Sequence, residues 1–223
     1  MARTGSTVPA GGKSFSTDCR DCPRLAKFLD DVRGKHPGYF SKPVPPFGDP
    51  APGLLVVGLA PGMHGANRSG RPFTGDFAGI LLYKTLHKFG FATRPESVSA
   101  DDGLRLTGCR ITNAVRCLPP ENKPTGDEVK QCNGYLAAEL QGLEPGTAVL
   151  ALGGIAHKAV LTASGEKAGA FKFAHAAQHR LGNGVMLFDS YHCSRYNTQT
   201  RRLTTDMFEQ VFTLIGRYLQ KRS

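Results

Sequence analysis

Short apolar runs stand at 54–59 (Leu-Leu-Val-Val-Gly-Leu), 148–152 and 185–188, and 110–115 reads as a further strand. The apolar runs do not alternate, which marks strands buried on both faces. Between them apolar positions fall at helical spacing. Leu25, Phe28, Leu29 and Val32 predict a helix over 19–32, and Ile80, Leu81 and Leu86 a second over 76–87. Thr125 followed by Glu128 reads as a capping box opening a helix that ends near 143. A helix over 156–161, entered by the Gly153-Gly154 turn, and an amphipathic one over 205–219 complete the set. The intervals are loops: 34–52 holds six prolines, 60–75 is glycine-rich, 118–124 is proline-rich, and 165–184 carries little pattern. Strands alternating with helices argue for a parallel sheet covered on both faces, with no repeat and no second domain. In such sheets ligands sit beyond the carboxyl ends of the strands. Here those ends lead into 58–76, 113–123 and 192–203.

Size and charge narrow the picture. The 223 residues suit one large domain, and 28 Lys and Arg against 18 Asp and Glu leave a net charge of +10. That balance favours a polyanionic partner, because neutralising phosphates releases counterions. No run reaches the ~18–20 apolar residues a membrane helix needs. Residues 1–17 are rich in Gly, Ser and Thr and lack the apolar core of a signal peptide, so the expectation is a disordered leader at 1–17, a single domain at 18–223, and a cytoplasmic protein. In that reducing compartment the six cysteines are thiols or metal ligands.

Cys19 and Cys22 form a C-x-x-C pair, and Cys117 and Cys132 could join them across the sheet. Four thiolates suit a cubane iron–sulfur cluster or tetrahedral zinc, and four unrelated buried thiols is the plain alternative. Cys109 reads as core, and Cys193 fits no ligand pair. The loop 58–76 ends without a Walker Lys-Ser/Thr and lacks the dinucleotide spacing. A flat ligand could stack on Phe73, or Phe73 is core. Asp76 stands where the loop becomes a helix, so it caps, catalyses, or does both. His157, His175 and His179 match no motif and read as surface residues.

Taken together, the Gly-Leu-Ala-Pro-Gly loop, the Gly-Arg-Pro-Phe-Thr-Gly-Asp run at 70–76, the Thr-Asn-Ala-Val-Arg-Cys-x-Pro-Pro-x-Asn-Lys-Pro segment at 112–124 and the four cysteines resemble the family 4 and family 5 uracil-DNA glycosylases. The closing His-Cys-Ser-Arg-Tyr-Asn-Thr-Gln-Thr at 192–200 resembles family 5 in particular. The resemblance implies a three-layer α/β/α sandwich on a four-stranded parallel sheet, with Cys19, Cys22, Cys117 and Cys132 holding a structural [4Fe-4S] cluster. It implies that Gly58 and Ala60 border the base, that Phe73 stacks on it and that Asn113 bonds its Watson–Crick edge. Leu59-Ala60 stands where other glycosylases carry a polar water-positioning residue, an absence family 5 shares. His192 is then the candidate donor to the departing base oxygen, and Asp76 orients water or stabilises the sugar cation, with Asn122 and Asn197 as helpers. Arg195, Arg201 and Arg202 would grip phosphates.

The implied activity is monofunctional excision of uracil, and of other deaminated bases such as hypoxanthine and xanthine, from double-stranded DNA by a monomer. That step initiates base excision repair, and no lysine sits at a nucleophile position. The alternative is a non-catalytic iron–sulfur protein that binds damaged or single-stranded DNA. A zinc-bound nucleotide hydrolase is disfavoured by the missing phosphate and acidic metal motifs. One departure stands out: Phe188-Asp189-Ser190 occupies a place where many relatives carry His-Pro-Ser, and an acid there would oppose DNA unless paired.

Overall fold

The computed structural model describes residues 14–167 and 169–221. Its elements are α1 (Pro23–Lys35), β1 (Phe47–Gly48), β2 (Leu54–Gly58), α2 (Ala66–Ser69), α3 (Phe77–Lys88), β3 (Cys109–Asn113), α4 (Gly126–Gln141), β4 (Ala148–Leu152), α5 (Gly154–Ala163), β5 (Gln178–Arg180), β6 (Met186–Ser190), α6 (Arg195–Gln199) and α7 (Thr205–Gln220). One six-stranded sheet runs in the order β1-β3-β2-β4-β6-β5. The four expected strands are its parallel centre: β2 pairs with β3 and β4, and β4 with β6.

The expected four-stranded sheet is thus corrected to six. β1 and β5 add antiparallel edges of two and three residues. β1 hides in the proline-rich stretch, and β5 is Gln-His-Arg, polar as short edge strands tend to be. Neither leaves an apolar signature.

Strand alternation sends side chains to two cores. Leu54, Val56, Ile111 and Phe188 face a core closed by Leu82, Tyr83 and Leu86 of α3 and Phe208 and Phe212 of α7. Leu55, Val57, Val149 and Leu187 face the opposite core, closed by Leu136 and Leu140 of α4 and Val160 and Leu161 of α5. Three layers result, because a sheet buried on both faces needs a helical cover on each. A third cluster joins Leu25, Leu29 and Val32 of α1 to Val115, Leu118 and Tyr135.

Two helix readings shift. The first helix starts at Pro23 with Cys22 as an extended N-cap, so Cys19 and Cys22 lie in the preceding loop. Proline suits a first helical turn, whose N–H would be unsatisfied anyway. On α3 the buried stripe is Leu82, Tyr83 and Leu86, and Ile80 is 62% exposed. The α4 capping box forms as read: Glu128 N–H donates to Thr125 Oγ1 at 3.3 Å, and Thr125 N–H to the Glu128 carboxylate at 2.8 Å. Residues 1–13 of the expected leader lie outside the described residues. Phe15, inside that expected segment, packs edge-on against Tyr135 with centroids 5.5 Å apart.

Candidate active site

Beyond the carboxyl ends of the strands lies a cavity of about 440 Å³ whose wall includes Ala60, Phe73, Asp76, Asn113, Asn122 and His192. All three strand-end segments contribute to it. Gly58 and Asn113 are register partners at the last positions of β2 and β3. A Cβ on Gly58 would meet the Asn113 side-chain oxygen and lie 2.7 Å from the Phe73 ring, so only glycine leaves the space between them open. The Asn113 side-chain oxygen is buried and accepts no hydrogen bond. Such an atom costs free energy until a ligand donor reaches it.

Phe73 holds φ at 55°, a left-handed conformation that costs on the order of 1–3 kcal/mol in a bulky residue. The surrounding loop is braced well enough to impose it. Tyr83 donates its hydroxyl to the Pro72 carbonyl at 2.8 Å. Arg71, buried, donates to Asp102 at 2.7 Å and to Ser97 at 3.1 Å. Burial alone would raise the Asp102 carboxyl, but Arg71 and the backbone N–H groups of Leu104, Val98 and Ser99 hold it at about 2. The sequence reading missed this brace. Its partners are 31 residues apart, and nothing local marks them as a pair.

Asp76 combines both of its expected positions. As the N-cap of α3 it accepts the Gly79 N–H at 2.8 Å, and it also lines the cavity. Its second oxygen turns toward the glycine loop, where a Cβ on Gly65 would come within 2.7 Å. Burial raises its pKa, against the pull of the Gly79 and Ala78 N–H groups. His192 stacks near Phe73, with centroids 6.1 Å apart and planes at 29°. Burial pushes its pKa down to about 4, so the ring is neutral near pH 7.

Asn197 is not part of the cavity wall. Its amide donates to the His192 carbonyl at 2.8 Å and so fixes the backbone that carries the ring. Arg195 stands at the rim with its guanidinium 5.1 Å from the Phe77 ring centre. Arg201 and Arg202 are exposed and outside the wall, Arg202 lying over the Tyr191 ring at 4.8 Å.

The four paired cysteines surround a separate apolar cavity, together with Phe15, Leu25, Val115 and Tyr135. Tyr135 donates its hydroxyl to Cys19 Sγ at 3.2 Å, and the Arg116 N–H reaches Cys132 Sγ at 3.4 Å. Burial, then the neighbouring Cys132, pushes Cys22 up to about 11, and burial raises Cys117 further. Thiols such as Cys22 and Cys117 become thiolates only with compensating positive charge. Arg116 is buried beside them and pairs through Nη2 with Glu139 at 2.8 Å, while its Nε and Nη1 have no hydrogen-bond partner in the protein. Cys109 and Cys193 are both buried away from this group.

The surface reading of three histidines is corrected. His157 is 2% exposed, and His175 and His179 are half-buried. They line the 171–179 segment and the end of the sheet, where the sequence shows no pattern. Asp189 is fully buried and paired with His157 and His179, so its charge does not face the cavity.

The model of the uracil DNA glycosylase superfamily matches residues 45–215. A type-5 uracil-DNA glycosylase of Thermus thermophilus is 49% identical over 201 residues, covering 87% of this chain and 91% of that protein. A type-5 uracil-DNA glycosylase of Pyrobaculum aerophilum is 42% identical, covering 87% of this chain and 86% of its own. A type-4 uracil-DNA glycosylase of the same organism is 35% identical over 131 residues, covering 58% and 59%.

Proposed function

The chain belongs to the uracil-DNA glycosylase superfamily, and from that membership we propose how its pocket carries out the reaction. The enzyme is a uracil-DNA glycosylase, a hydrolase of the N-glycosyl bond between base and deoxyribose. The observation that carries the mechanism is the unpartnered Asn113 oxygen facing Phe73 across the space left by Gly58. A planar base flipped into that slot stacks on Phe73, while Asn113 accepts its ring N–H and donates to the adjoining carbonyl. Uracil, hypoxanthine and xanthine all present that N–H beside C=O edge. Cytosine and adenine present the reverse pattern and leave the amide mismatched. That edge separates uracil and hypoxanthine from the cytosine and adenine they arise from, while thymine and guanine share it, and flipping costs least where the duplex is already mispaired, which favours a deaminated base.

Bond breaking leaves the electron pair on the base and an oxocarbenium-like sugar behind. A neutral His192 N–H stabilises the charge growing on the base oxygen, as fixed donors aimed at developing charge do. The Asp76 carboxylate stabilises the sugar cation and accepts a proton from the water that adds to C1′, with Asn122 helping to hold that water. Free base and an abasic site result, with the strand intact. Leu59 and Ala60 offer no side-chain polarity, so Asp76 is the acid this step relies on.

Cys19, Cys22, Cys117 and Cys132 would hold a [4Fe-4S] cluster, which supplies a structural cross-link between the α1 loop and α4. Four cysteine sulfurs around one apolar cavity are the donor set such a cluster takes. Exchanging Cys132 for Ala should cost the protein its iron. Full iron content in that variant would break the ligand assignment.

On this reading residues 18–223 form one cytoplasmic, monomeric repair domain that opens base excision repair on duplex DNA. The deciding test is base release from labelled duplexes carrying one uracil, hypoxanthine or xanthine, with Asn113→Ala and His192→Ala beside wild type. Release by wild type and large losses in both variants are expected. A cluster-loaded protein that binds these duplexes and releases none of the bases would favour a non-catalytic damage-binding role.

A further inference from the structure

Away from both the base pocket and the four cysteines, His157 of α5, His179 of β5 and Asp189 of β6 converge. His157 Nδ1 lies 2.8 Å from Asp189 Oδ1, and His179 Nε2 lies 3.3 Å from Asp189 Oδ2. One ligand atom from each falls within 4.8 Å of the other two. We propose that these three side chains form a binding site for one divalent transition-metal ion of the zinc class.

Several features support an ion here. At metal–ligand bonds of ~2.0–2.1 Å, neighbouring ligands of a tetrahedral ion stand about 3.3 Å apart. His179 stands 3.3 Å from Asp189 Oδ2 and His157 2.8 Å from Oδ1, so an ion held by one carboxylate oxygen needs a small turn of the carboxylate. His157 Nε2 is bonded to the Phe171 carbonyl at 3.2 Å. A carbonyl only accepts, so Nε2 carries a proton, and Nδ1, which faces the Asp189 carboxylate, is the nitrogen left to bind an ion. An imidazole whose outer N–H rests on a backbone carbonyl is the usual posture of a ligating histidine. Without an ion, the buried Asp189–His157 contact instead has to trap a shared proton. Two imidazoles with one carboxylate suit zinc, cobalt or nickel better than magnesium or calcium.

The surroundings fit a closed structural site with one open side. Phe173 stands edge-on to His157 at 5.6 Å, and Phe171 edge-on to His179 at 5.4 Å. Asp189 is fully buried and His157 nearly so, while His179 is 15% exposed and gives the ion its path, with water as fourth ligand. An ion here would tie the short edge strand β5 to β6 and α5, three residues before His192. The proposal does not depend on the base-release chemistry.

The test uses the full chain with its iron–sulfur cluster loaded, so that the cysteines are occupied. The protein is dialysed against Co²⁺, and bound cobalt is counted against protein and iron. One cobalt per chain is expected, with the visible ligand-field bands of nitrogen and oxygen ligation and no thiolate-to-cobalt charge transfer. His179→Ala should weaken binding roughly tenfold or more. His179→Gln, which keeps a hydrogen bond to Asp189, serves if the alanine variant is unstable and should lose the ion equally. No cobalt or zinc bound by wild type would overturn the proposal and leave a proton-sharing triad. Undiminished binding in both His179 variants would overturn it as well.

Discussion

Asp76 holds a helix end and, on the proposed mechanism, a sugar cation, and substitution can separate these roles. Asn caps a helix about as well as Asp. Asp76→Asn should therefore melt within a degree or two of wild type while its kcat/KM for uracil falls on the order of 100-fold. Asp76→Ala should lose a further ~1 kcal/mol of stability from the missing cap. Equal activity of wild type and Asp76→Asn in single-turnover assays would remove the carboxylate from the mechanism. The pH profile follows from two burial effects of opposite sign. Burial raises Asp76, so its carboxylate form, and with it activity, appears only above the ordinary carboxylate range. His192, held near 4, stays neutral throughout and adds no limb near neutrality. The depressed His192 pKa contributes stability that is complete above the unfolded histidine value near 6.5 and is lost as pH falls toward 4. Thermal melts of His192→Asn should lose less stability than wild type between pH 6.5 and 4. Parallel curves would show that the ring is not buried as described.

At the scale of elements, the sequence carried what local chemistry determines. Central strands announce themselves where residues buried on both faces are apolar without alternation, as in Leu54–Gly58, whereas β3 carries Arg110, Thr112 and Asn113. The Thr125 box is legible because its partners are three residues apart. What stayed hidden depends on distant or polar partners: β1 within the proline-rich stretch, β5 as Gln-His-Arg, and the face of α3, where Tyr83 rather than Ile80 turns inward. The Arg71–Asp102 brace belongs to the same hidden class and makes the strongest claim on the loop. Both side chains are about 7% exposed, so removing one strands a buried charge, at roughly 3–5 kcal/mol. Asp102→Ala should lower the denaturation free energy by about that much, and Phe73 should lose its left-handed backbone and its place in the slot. A change under about 1 kcal/mol in urea melts would mean that the brace carries little.

Across the whole molecule, candidate chemistry and candidate DNA contacts occupy one end of the sheet, and the cysteine group stands apart from them. The glycine loop, the Asn113 segment and the His192 segment all line one cavity, since strand-end loops of a parallel sheet meet there. The role of Asn197 was not legible, because a backbone brace and a substrate contact look alike in a sequence. The positive charge is the feature with the longest reach. Arg201 and Arg202 are exposed, and the Arg202 guanidinium is carried on Tyr191, one residue before His192. If both meet phosphates, each releases about one counterion on binding, and the slope of log affinity against log salt falls by about 1 for each one removed. Arg202→Ala should flatten that slope by about 1 and Arg201→Ala/Arg202→Ala by about 2, with the preference for uracil over cytosine unchanged. Asn113→Ala should do the reverse, keeping the slope and losing the preference. The two variants therefore separate grip from recognition, and an unaltered slope in the double arginine variant would put the duplex on a different face of the protein.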